Sequence, residues 1–187
     1  MVRLLFIVIA AVFANSSVVA QVTPTDLVFG TTLGPFIADE DDSTLANDSD
    51  WFLFTLTETS AVDIDINRTA APPDLIASLF FGDVTGVDFG TLLADDFLGT
   101  GSDFGALSFI DTEDDTEPDL FGGPFGDPRF QLNLDPGTYS LLVTTLSPIE
   151  GGPFTITSSA SVVPEPNLLT VLCCFAGFVA SRRRRIT

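Results

Sequence analysis

Val62-Asp63-Ile64-Asp65-Ile66-Asn67 alternates apolar and polar residues without a break. Successive side chains of a β-strand point to opposite faces, so this period of two puts Val62, Ile64 and Ile66 together and Asp63, Asp65 and Asn67 opposite them. Such a segment is a strand with one face on a core and the other in water. Phe130-Gln131-Leu132-Asn133-Leu134 repeats the pattern. Working outward, Phe52, Phe54 and Leu56 share a face between Trp51 and Thr57, as do Tyr139, Leu141 and Val143 between Thr138 and Leu146. Leu75 to Phe81 is a fuller apolar strand, and Phe154-Thr155-Ile156-Thr157 a late one. Ala71-Pro72-Pro73-Asp74, Gly82-Asp83, Asp135-Pro136-Gly137 and Gly151-Gly152-Pro153 are turn signals between them. No helical period occurs between residues 21 and 163. Short strands punctuated in this way predict an all-β fold, an antiparallel, jelly-roll-like β-sandwich.

Both ends of the chain differ from this body. Met1-Val2-Arg3 followed by apolar Leu4 to Ala14 reads as a secretory signal peptide over residues 1–20, cut between Ala20 and Gln21. At the other end, Val163-Pro164-Glu165-Pro166 precedes an apolar stretch from Leu168 to Ala180 and the cluster Arg182-Arg183-Arg184-Arg185. The prolines enforce an extended strip, and Asn167 can cap a helix after it. At about 13 residues the apolar stretch is short for a bilayer span. The arginines nevertheless fit a cytoplasmic anchor better than a core helix. Cys173 and Cys174 lie inside it as small apolar fillers.

Motif, helix and basic cluster, in that order over residues 163–187, resemble the PEP-CTERM sorting signal of Gram-negative bacteria. That resemblance implies a precursor held transiently in the inner membrane. An exosortase then recognises and removes the tail, after export by the secretion machinery, and the passenger reaches the cell surface or extracellular matrix. The secreted domain would be residues 21–162.

This domain is strongly acidic. Of the 26 acidic residues, 25 precede the sorting motif, against only Arg68 and Arg129 there, so 25 minus 2 leaves a net charge near −23. Nucleic acid and anionic lipid are repelled by such a surface. It contains no cysteine and is therefore not a disulfide scaffold. Eighteen phenylalanines in the chain, with many aliphatic residues, supply apolar surface enough for a core.

A second resemblance covers roughly residues 48–158. Asp48-Ser49-Asp50-Trp51-Phe52-Leu53-Phe54 and, later, Leu134-Asp135-Pro136-Gly137-Thr138-Tyr139-Ser140-Leu141-Leu142-Val143 are similar to the early and late motifs of the bacterial pre-peptidase C-terminal (PPC-like) domain. That resemblance implies a jelly-roll sandwich acting as a non-catalytic module in secretion, matrix attachment or substrate contact. The intervening Phe- and Gly-rich stretch, about 82–127, departs from the pattern.

Phe-Gly pairs begin at residues 29, 81, 89, 104, 121 and 125. They read as buried phenylalanines, each followed by a glycine that lets the chain turn; an exposed aromatic surface for carbohydrate or self-association is the other reading. Asp88-Phe89-Gly90 and Asp103-Phe104-Gly105 are not kinase magnesium motifs, since the chain has neither lysine nor histidine. The same gaps remove Ser-His-Asp, Cys-His and Ser-Lys catalysis and His-ligated zinc. Paired carboxylates would remain for a small hydrolase, which requires two of them across one cleft. The reading is therefore a non-enzyme with no cofactor, structural or adhesive within an extracellular polysaccharide matrix. The alternative is a carbohydrate- or calcium-binding module. Two acidic clusters are the calcium candidates: Asp39, Glu40, Asp41 and Asp42 with Asp48 and Asp50, and Asp111, Glu113, Asp114, Asp115, Glu117 and Asp119. Flexible loops rich in carboxylate oxygen suit that ion, although neither cluster has the helix-loop-helix spacing.

Overall fold

A computed structural model describes residues 22–38, 50–71, 73–87, 105–118, 121, 126–145 and 151–164. The signal peptide, most of the sorting tail and Asp39 to Asp48 lie outside the described residues. Among the described residues there are nine strands: β1 (Thr25–Asp26), β2 (Thr32–Ala38), β3 (Asp50–Leu56), β4 (Ser60–Arg68), β5 (Leu75–Phe81), β6 (Ser108–Glu113), β7 (Arg129–Leu134), β8 (Gly137–Thr145) and β9 (Gly152–Val162). They form a five-stranded sheet in the order β1-β3-β8-β5-β6 and a four-stranded sheet in the order β2-β9-β4-β7. The described residues are all-β, two sheets packed as a sandwich. Its pairings are antiparallel except that the short β1 lies parallel to β3.

The alternating segments behave as their period requires. In β4, Val62, Ile64 and Ile66 are buried, while Ala61 is exposed and Asp63, Asp65 and Asn67 are half-exposed. The inner face of the other sheet meets them with Phe52, Phe54, Leu75, Leu79, Tyr139, Leu141 and Val143, and Phe130, Phe154 and Ile156 complete this core. The two motifs behind the PPC resemblance are strand neighbours. β3 pairs with β8 so that Asp50 lies opposite Val143 and Phe54 opposite Tyr139. The Phe54 and Tyr139 rings stack at 5.2 Å. The Tyr139 hydroxyl donates to the Asp135 carbonyl at 2.6 Å, tying the strand to the turn before it.

Leu75–Phe81 is buried almost throughout because the five-stranded sheet is covered on both sides. A second core of Val22, Trp51, Phe80, Val84, Val87, Leu107 and Leu142, with Phe109 against it, covers the outer face. Segments 84–87 and 105–109 of the Phe- and Gly-rich stretch supply that cover. Two serines buried in the five-stranded sheet are hydrogen-bonded. Ser140 Oγ accepts from the Val84 N–H at 3.0 Å and donates to the Gly82 carbonyl at 2.7 Å. Ser78 shares a 2.8 Å hydrogen bond with Thr112.

Three strands were not anticipated. β1 has only two residues, β2 contains Gly34-Pro35, and β6 lies in the acidic stretch. Proline removes a ladder donor and is tolerated on a sheet edge, where β2 sits with a register shift between Leu33 and Phe36. The Phe-Gly reading needs correction too. Phe29 packs half-buried against the core, but Phe81 and Phe121 are 47% and 48% exposed. Phe81 lies edge-on to Tyr139 at the sandwich end. Its glycine does turn the chain: Gly82 has φ +125°, and a Cβ there would strike the Ala106 carbonyl. Phe89, Phe104 and Phe125 lie outside the described residues.

Candidate functional site

The strand order determines which loops meet. β4 ends at Arg68 and β7 begins at Arg129; β5 begins at Leu75 and β6 ends at Glu113. The short β4–β5 connection therefore lies at the same end of the sandwich as the chain leaving β6 and entering β7. Both arginines of the domain act there on the acidic stretch. Arg68 is buried, its side chain 3% exposed, and donates through Nε to Asp127 Oδ1 at 2.7 Å; the Asp127 side chain is 1% exposed. Arg68 Nη1 also donates to the Pro73 carbonyl at 2.9 Å, which sets the turn bearing Asp74. Arg129 grips both oxygens of Asp63, at 2.9 and 2.8 Å, and reaches Glu117 Oε1 at 2.7 Å. A bridge between Glu117 and Asp127 closes the stretch on itself.

Within this frame Asp74, Asp114 and Asp115 converge, one oxygen of each lying within 4.8 Å of the others. Asp74 is buried, Asp114 half-buried and Asp115 exposed. The Gly126 N–H donates to Asp115 Oδ1. A Cβ at Gly126 would collide with the Glu117 carbonyl and the Asp115 backbone, so only glycine lets the two segments approach this closely. Burial, and secondly the Asp115 charge, push the Asp114 carboxyl above its ordinary range. For Asp63 the hydrogen bond from Arg129 outweighs burial and holds the carboxyl below that range. Such a grouping of carboxylates is relieved by a proton or by a hard cation.

Of the sequence candidates, Asp114 and Asp115 join this group. Asp111 lies in β6 opposite Leu79, with Oδ1 accepting from the Thr112 N–H at 3.0 Å. Asp50, at the start of β3, shares a row with Val143, Ala77 and Glu113 across the five-stranded sheet. Three strand spacings, about 14 Å, separate it from Glu113, so the sheet does not bring Asp50 to the group. Asp39, Asp41, Asp42 and Asp48 lie outside the described residues, as do Ala20, Gln21, Glu165, Pro166 and Arg182 to Arg185. Asp74 was missed. The one signal for it was a lone carboxylate between two prolines and a mostly apolar strand.

The three carboxylates come from two connections, β4–β5 and β6–β7, at one end of the sandwich. A groove of about 380 Å³ lies on the outer face of the four-stranded sheet, between Ala61, Val62, Asp63, Gln131, Leu132, Asn133, Ser159 and Ser161. Asp63, the carboxylate among its lining residues, is the one held by Arg129. Trp51, at 3% exposure, packs against Phe80 and is not an aromatic platform.

No known protein family matches the chain, and no curated protein matches it in sequence. Solved structures do resemble it. CorA, a surface-associated copper-binding protein important in copper acquisition by Methylomicrobium album BG8, is 10% identical with a TM-score of 0.50, over 75% of this chain and 99% of that one. PliG, a periplasmic inhibitor of g-type lysozyme from Aeromonas hydrophila, is 14% identical with a TM-score of 0.43, over 75% and 98%. The pre-peptidase C-terminal domain of a Bacillus anthracis collagenase is 13% identical with a TM-score of 0.42, over 74% and 96%. At 10% identity the likeness to CorA is one of fold.

Proposed function

We propose that this chain is an exported, non-enzymatic jelly-roll protein, sorted by an exosortase through its C-terminal tail and structural or adhesive in an extracellular polysaccharide matrix. The observation that supports it is where the fold ends. The Val163 N–H makes the last bond of the domain, to the Thr59 carbonyl at 2.9 Å, and Pro164 beyond it is exposed. The Pro-Glu-Pro motif thus starts where strand pairing stops. A protease that needs extended chain would meet it there without unfolding the sandwich, and removing the tail would cost the domain no described contact. In a host carrying the sorting enzyme, mass spectrometry of the mature protein should find no peptide beyond Pro166. Recovery of an intact Arg182 to Thr187 end from secreted material would sink the sorting reading.

A second reading rests on the Asp74, Asp114 and Asp115 group, which offers oxygen ligands for calcium at the end of the sandwich where two connections meet. The copper chemistry of CorA does not transfer residue by residue. This chain has no histidine, and its two cysteines sit in the tail, whereas copper favours imidazole and sulfur ligands. An ion bound only by the folded state stabilises it by about 2.7 kcal/mol at one hundred times Kd. Thermal unfolding in millimolar calcium should therefore exceed that in sodium chloride of equal ionic strength. Asp114→Asn should abolish the difference. Coincident midpoints would leave simple screening of a solvated acidic surface.

A further inference from the structure

The groove on the four-stranded sheet has a defined construction. Ala61 lies between Ser161 on β9 and Asn133 on β7, and the next row toward the acidic end is Ser159, Asp63 and Gln131. A methyl side chain at the centre strand, flanked by longer polar ones, makes a trough with Ala61 as its floor. Its hydroxyl and amide groups each donate and accept, which is the pairing a polyhydroxylated ligand requires. The charge is equally particular. The trough belongs to a domain near −23, by the difference of 25 acidic and 2 basic residues. Yet Asp63 is neutralised by the bidentate Arg129 and further bonded by Gln131 Nε2 at 3.3 Å. Asp63, the one charged residue lining the trough, is therefore paired by an arginine that also holds Glu117, while the field of the surrounding molecule repels anionic polymers.

We propose that the trough floored by Ala61 binds a neutral polysaccharide, whose hydroxyls exchange hydrogen bonds with Asn133, Gln131, Ser159 and Ser161. Rows on neighbouring strands repeat every 4.7–4.9 Å or so, a spacing that lets successive sugar units of an extended chain laid across the strands meet successive polar side chains. This inference deepens the matrix reading and rests on it for the class of ligand. Affinity electrophoresis tests it, with the full-length chain in detergent run through native gels containing dextran, hydroxyethyl cellulose or mannan, and alginate as the anionic comparison. At least one neutral polymer should retard the protein and alginate should not. Ala61→Leu, which fills the floor, and Asn133→Ala should each reduce retardation at least tenfold. Thr32→Ala, on the same face but outside the trough, should leave it unchanged. Absence of retardation by all three neutral polymers, retardation by alginate alone, or retention of binding in Ala61→Leu would each overturn the proposal. A tail that is not excised, with binding intact, would instead overturn the sorting reading and leave this one standing.

Discussion

The two outer faces of the sandwich received opposite treatment. The five-stranded sheet carries a second core of Trp51, Phe80, Leu142 and their neighbours on its outer side; the four-stranded sheet shows water a lattice of Ser, Thr, Asn, Gln and Asp. The difference is written in the strands themselves. Where the run is apolar on both faces but for Ser78, as in Leu75–Phe81, both faces need cover, and the insertion between β5 and β6 provides it. Where it alternates, as in Ser60–Arg68, one face is finished when the sheets close. One consequence is that an insertion rich in phenylalanine and glycine need not be a binding surface: part of it is the roof of a core.

The comparison breaks if the roof contributes nothing. Phe80→Ala should cost about 3–5 kcal/mol in chemical denaturation, as much as Phe52→Ala in the inner core, because both rings are fully enclosed. Ser159→Ala on the open face should stay within about 0.5 kcal/mol. A Phe80 variant as mild as the Ser159 variant would reduce the roof to a loose flap.

Arg68→Met sharpens it at the end of the sandwich, where a buried ion pair ties the end of β4 to the segment entering β7. Leaving Asp127 buried without its guanidinium should cost about 3 kcal/mol or more, read from the denaturation midpoint. Double replacement by apolar residues of similar volume should recover part of that loss.

The smallest effect concerns pH. Asp63 has its folded value below the ordinary 3.8, so its contribution is complete above that value and disappears as pH falls through the lower folded one. Asp114 has its folded value raised above 3.8, so the folded state holds its proton more tightly and stability declines as pH rises through the raised value. Acidification from neutral should therefore first raise the thermal midpoint as Asp114 is relieved, and lower it only when Asp63 is protonated. Asp114→Asn should remove the initial rise, and Asp63→Asn the later fall. A midpoint that declines monotonically from neutral pH in the native chain would contradict the arrangement.

Much of the sandwich was legible before the structure, since alternation and Pro-Gly turns are local. β4, β5, β7 and β8 fell where Val62–Asn67, Leu75–Phe81, Phe130–Leu134 and the Tyr139 segment placed them. β2 was hidden because Gly34-Pro35 reads as a turn unless one knows that the strand lies on an edge. β6 was hidden by the register shift between Leu79 and Phe80, which breaks the pattern of a strand already crowded with acids. The carboxylate group was half legible. Asp114 and Asp115 advertise themselves as neighbours, but Asp74 joins them only through the meeting of the β4–β5 and β6–β7 connections, which no local pattern encodes. The trough was less legible still, because Ala61, Asn133 and Ser161 acquire meaning only from the strand register.

The Val163 to Thr59 bond has a mechanical consequence. It closes the end of β9, which is zipped to β4 over nine residue pairs and to β2 on its other side. A force applied at Val163 along the axis of β9 would load both ladders in shear, so many hydrogen bonds would have to yield together and could not peel away one after another.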